Sequence, residues 1–61
     1  MTLKDKIIDY RVKHNLTQLQ FAKLCGVSNT TINNIENDKA KPHALSSKKI
    51  LDVINKEGNN D

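Results

Sequence analysis

Gly26 constrains this chain's fold more than any other single residue, because of what stands on either side of it. The stretch from Gln18 to Cys25 before it, and the stretch after Ser28, each carry apolar side chains at helical spacing. A glycine directly after a short helix supplies the positive φ of a tight turn, so the chain is expected to reverse direction there. Counted from Gln18, Ala22 is the fifth residue, Gly26 the ninth, Ile32 the fifteenth and Ile35 the eighteenth. Each type answers a physical need. Two helices that cross closely require a small residue at the contact, which Ala22 is. The turn between them requires freedom at φ, which Gly26 has. The second helix requires a buried rail at i and i+3, which Ile32 and Ile35 form.

The rest of the chain frames this pair with two more helices. Leu3, Ile7, Tyr10, Arg11 and His14 recur at spacings of three and four, one stripe of a first helix over residues 3 to 14. Asn15 tolerates the left-handed conformation that stops helices. Thr17 is a candidate N-cap for the second helix, residues 18 to 25, with Phe21, Ala22 and Cys25 on one face. Ser28 is the corresponding cap for a third, from Asn29 to about Asn37. The loop over residues 38 to 42 ends at Pro42, which bars a helix from running through it. A fourth helix is expected to begin between Ala44 and Ser47 and to run to about Lys56. Ile50, Leu51, Val53 and Ile54 supply its apolar side, and Gly58 ends it.

These readings predict an all-α domain of four helices over residues 1 to 57, a fifth being at most a C-terminal turn, with a frayed tail at 58 to 61. A chain of 61 residues makes one domain with a thin stability margin. Cys25 is the sole cysteine, so no disulfide can form within the chain. An unpaired thiol suits a reducing cytoplasm. No apolar run approaches the roughly 18 residues of a membrane span. Net charge is +3, but residues 38 to 49 hold Lys39, Lys41, Lys48 and Lys49 against Asp38 alone. That concentration lies just after the third helix, where it could grip phosphates or merely face solvent.

Leu16-Thr17-Gln18, Phe21-Ala22, Gly26-Val27-Ser28, Ile32 and Ile35-Glu36-Asn37 fall at fixed spacing. In these residues the chain resembles the phage repressor and Cro-like helix-turn-helix family, also called the xenobiotic-response-element family, over about residues 3 to 54. The resemblance implies a regulator, a repressor or Cro-like switch, that inserts residues 28 to 37 in the major groove of double-stranded DNA. It implies that Gln18 meets a phosphate, a role with its own warrant because helix N-termini favour anions. Thr17 and Ser28, at the starts of the same two helices, are placed with it. Asn37, Lys39 and Lys41 form a second phosphate clamp. Arg11 and Glu36 resemble an ion pair that ties the first helix to the end of the third. The implied base-contacting positions are Asn29, Thr30 and Asn34, with Asn33 as a secondary candidate. Asn can bond adenine N6 and N7, and the Thr methyl can pack on thymine. No Arg or Lys lies between Ser28 and Asn37, so the commonest guanine contact is missing.

The implied partner is a near-palindromic duplex bound by a homodimer, because one such module covers too little DNA alone. Ile8, Val12, Leu19 and Leu24 depart from the polar residues usual at these positions in the family. Ile8 and Val12, four apart, form a second stripe. Either the last helix covers it, or it is a contact face for a second copy or another protein. The latter would suit a protein-interaction module of antitoxin or anti-repressor type, and a longer regulator of which this is the DNA-binding part is a further alternative. His14, His43 and Cys25 are too few and scattered for a metal site. No nucleophile–base pair, phosphate loop or carboxylate dyad is recognisable, so neither catalysis nor a cofactor is expected.

Overall fold

The computed structural model describes residues 2–39 and 41–58. Four helices follow one another: α1 (Leu3–His14), α2 (Gln18–Cys25), α3 (Asn29–Glu36) and α4 (Ala44–Gly58), with no strand among the described residues. The first three start and stop at side chains suited to the task. The Thr2 hydroxyl accepts the Asp5 N–H at 3.2 Å, and Thr17 accepts that of Gln20 at 3.1 Å. Asp5 and Gln20 reach back to the cap N–H groups, completing two reciprocal capping boxes. Ser28 caps α3 by accepting the Thr31 N–H at 3.1 Å. Asn15 stops α1 at φ 55° and Gly26 stops α2 at φ 76°. After Pro42, α4 takes its first backbone bond from Ser47 N–H to the His43 carbonyl at 2.9 Å.

Seven residues close the core: Ile7 of α1, Phe21, Ala22 and Cys25 of α2, Ile32 and Ile35 of α3, and Ile50 of α4. Leu3, Tyr10, Leu16, Val27, Val53 and Ile54 pack around them. The Tyr10 ring lies 5.5 Å from Phe21 and 4.2 Å from His14, centre to centre. Ala22 sits where α2 meets α3, and its single methyl permits that approach. Leu51, expected on the inner side of α4, is half-buried and outside this cluster.

The last helix does not cover Ile8 and Val12, one of the two alternatives that the sequence left open. It packs against α1 and α2 but leaves the Ile8 and Val12 stripe open, with Val12 76% exposed. Ile7 rather than Ile8 faces the core, so the stripe next to it turns outward. The last helix reaches Gly58 rather than stopping near Lys56; the remainder of the expected tail, 59–61, lies outside the described residues.

Candidate nucleic-acid interface

The amphipathic pattern of α3 divides it into an inner and an outer side. Ile32 and Ile35 point into the core, and Asn29 and Thr30 stand exposed at its N-terminal end. Asn34 is half-buried and lines a cleft of about 170 Å³ between α3 and the segment leading to α4. Thr31, Lys41, Pro42 and His43 line the same cleft. The structure thus places Lys41 beside Asn34. Lys39 is exposed one step earlier, its N–H donating to the Asn34 carbonyl at 2.9 Å.

Gln18 opens α2, and amides of its first turn have no acceptor within the helix. Thr17 and Ser28 already use their hydroxyl oxygens to cap α2 and α3, and the Ser28 hydroxyl also lies 2.9 Å from that of Thr31. Each helix start is therefore capped by its own side chain, and the first-turn amides that the caps do not use have no acceptor within the helix.

Behind this surface lies a half-buried polar network. Arg11 Nη1 donates to both carboxylate oxygens of Glu36, at 2.8 and 2.7 Å, and Arg11 Nε donates to the Leu16 carbonyl at 3.3 Å. Glu36 is only 12% exposed, so this pair locks α1 to the end of α3 and is shielded from salt. Gln18 Nε2 donates to the same carboxylate at 3.3 Å, and Asn33 Nδ2 donates to Gln18 Oε1 at 3.2 Å. Asn37 donates to Asn33 in turn. Gln18, Asn33 and Asn37 are thus brought together, while Asn29 and Thr30 stand apart from that group.

Sequence reasoning missed two features here. Lys4 reaches across from α1 to Asp38 at 3.0 Å, a contact between residues too distant in the chain to leave a local signal. Asp38 itself adopts φ 57°, a left-handed conformation for which Asp is among the better-suited residues and which its place after a helix could have suggested. Burial pushes the Cys25 thiol up to about 11, so it is a core filler with little thiolate. Among the described residues no cluster of His, Cys, Asp or Glu could hold a metal ion, and no helix is long and apolar enough to cross a membrane.

A family model described as helix-turn-helix matches residues 7–58, which takes in all of α2, α3 and α4 and most of α1. No curated protein and no solved structure matches the chain.

Proposed function

The chain belongs to the XRE-type helix-turn-helix family of DNA-binding regulators, as in Cro and the λ repressor, and from that premise we propose that it is a sequence-specific repressor or Cro-like switch acting in the cytoplasm without chemistry of its own. The observation that carries this reading is the division of α3. Its apolar rail is buried, and its opposite side offers amides and hydroxyls at Asn29, Thr30 and Asn34. Those groups suit adenine N6 and N7 and the thymine methyl, and α3 holds no cation to seek guanine O6. Phosphates on one side meet the starts of α2 and α3 at Thr17, Gln18 and Ser28, and on the other meet Lys39 and Lys41.

A single module of this kind buries roughly 600–1,000 Å² on DNA, modest for tight specific binding. Two copies on a near-palindromic site, with recognition helices about 34 Å apart, would supply the remainder. Selection from a random duplex pool tests the reading. The enriched half-site should contain A·T pairs, and Asn34→Ala should relax preference at one position while costing about 1–3 kcal/mol at the specific site. A consensus made only of G·C pairs, or equal loss on specific and random duplex, would remove Asn34 from base reading.

The open stripe of Ile8 and Val12 favours one second reading, in which the same scaffold contacts a protein through α1. A gel shift on random duplex at low salt separates the two, because only a DNA binder retards there.

A further inference from the structure

We propose that Asn33 and Asn37 are positioning residues, in a hydrogen-bond chain whose donors run through Gln18 to Glu36, where they meet those of Arg11, and which presets the Gln18 side chain for the DNA backbone. The inference rests on the DNA-binding reading above and assigns these two residues a task other than direct contact.

The direction follows from the carboxylate. An ionised Glu36 can only accept, so every group that meets it must turn a donor inward. Arg11 does so twice, at 2.8 and 2.7 Å, and Gln18 turns its Nε2 inward at 3.3 Å. The Gln18 amide is thereby oriented, and its Oε1 is left to accept. Asn33 answers with Nδ2 at 3.2 Å, which leaves its own Oδ1 as an acceptor. Asn37 Nδ2 donates to that Oδ1 at 3.1 Å and to the Asn33 carbonyl at 2.9 Å. One charge therefore fixes the orientation of three amides in succession.

Counting hydrogens separates the roles. Asn37 has two amide hydrogens and donates to two acceptors, both on Asn33, and its backbone N–H donates to the Asn33 carbonyl as well. What its side chain still offers outward is an oxygen, which a phosphate repels. Gln18 has two hydrogens and gives one to Glu36, so one stays available for a phosphate beside its backbone N–H. Asn33 holds Gln18 from the far side, and both are half-buried. A glutamine side chain otherwise loses rotamer freedom only when it meets its ligand. Here that ordering is complete in the free protein, and the gain is preorganisation.

The test uses the full chain. Side-chain amide resonances of the free protein report the chain directly, and Asn33→Ala should displace those of Gln18. Both Asn33→Ala and Asn37→Ala raise helix propensity or leave the helix end intact, so the fold should hold, as a thermal melt checks. On DNA, Asn33→Ala should weaken a selected site and random duplex by the same factor, roughly three- to tenfold. The salt slope should stay near the wild-type value, because a neutral amide neutralises no phosphate and releases no counterion. Combined with Gln18→Ala, it should add nothing to the loss from Gln18→Ala alone. Relaxed preference at one base pair with unchanged random-duplex affinity would make Asn33 a base reader and overturn the proposal. Losses that multiply in the double variant, or Gln18 amide signals indifferent to Asn33→Ala, would overturn it too. Wild-type protein that binds no duplex would sink the DNA reading and this role together, whereas the other adverse outcomes leave that reading standing.

Discussion

Two connections flank α3, and they open with the same backbone turn but differ in length, charge and outside support. The one before it is short and closed by its own backbone. Gly26 and Val27 N–H groups both donate to the Ala22 carbonyl, at 2.9 and 3.0 Å, and Ser28 caps the next helix at once. The one after it is longer and partly held from outside. The Asp38 and Lys39 N–H groups donate to the Ile35 and Asn34 carbonyls at 3.2 and 2.9 Å, and the Asp38 side chain is held in addition by Lys4 of α1. The first joint fixes the angle at which α3 is presented. The second carries Lys39 and Lys41, both exposed. The shorter, uncharged joint therefore sits where bases would be read, and the longer, basic one where phosphates would be met.

The strongest test of that difference is at the crossing itself. Ala22 is 1% exposed where α2 meets α3, so Ala22→Leu has no room. It should destabilise by about 1–3 kcal/mol, read by chemical denaturation. In a chain this short that is a large part of total stability. A variant as stable as wild type would mean that the two helices do not meet at Ala22.

Gly26→Ala should come next. A Cβ there would meet nothing within 4 Å, so the penalty is confined to backbone strain at φ 76°. The left-handed region costs a residue with a side chain about 1–2 kcal/mol, offset in part by the stiffer unfolded chain, for a net loss of about 1 kcal/mol. A gain in stability would show that the turn has another conformation open to it.

The same contrast explains what could be read in advance. Gly26 and Ser28 act within a turn of themselves, and the burial of Ala22, Ile32 and Ile35 shows in residue type and spacing, so all five could be placed without the fold. Arg11 with Glu36 came from family resemblance, since no local pattern joins residues on different helices. The direction in which Gln18, Asn33 and Asn37 donate depends on a carboxylate brought near only by folding. The open face of Ile8 and Val12 was beyond reach for a similar reason. Periodicity gives two overlapping stripes on α1, and only the packing of α4 decides which of them is covered.

On the second connection, Lys39→Ala and Lys41→Ala should leave stability nearly unchanged, because both side chains are exposed. Each should weaken binding to all duplexes alike and lower the salt slope by at most about one unit. If both slopes stayed at the wild-type value, the phosphate contacts would lie elsewhere and the loop would have no electrostatic part to play.

The smallest effect should belong to the support of that loop. Asp38→Asn keeps a residue at ease with φ 57° and removes only the charge that pairs with Lys4. The pair is largely solvated, with Asp38 73% exposed, so ordering two side chains and screening by salt take back most of its attraction. The expected loss is at most about 0.5 kcal/mol, and it should disappear in about 1 M salt, where the Debye length shrinks to roughly 3 Å. On DNA the sign should reverse. Removing a negative charge next to Lys39 makes the loop more positive, so random duplex should bind slightly tighter at low salt. A stability loss well above about 1 kcal/mol that persists in high salt would show that Asp38 does more than pair with Lys4 across solvent, and the loop's outside support would have to be sought in its other contacts.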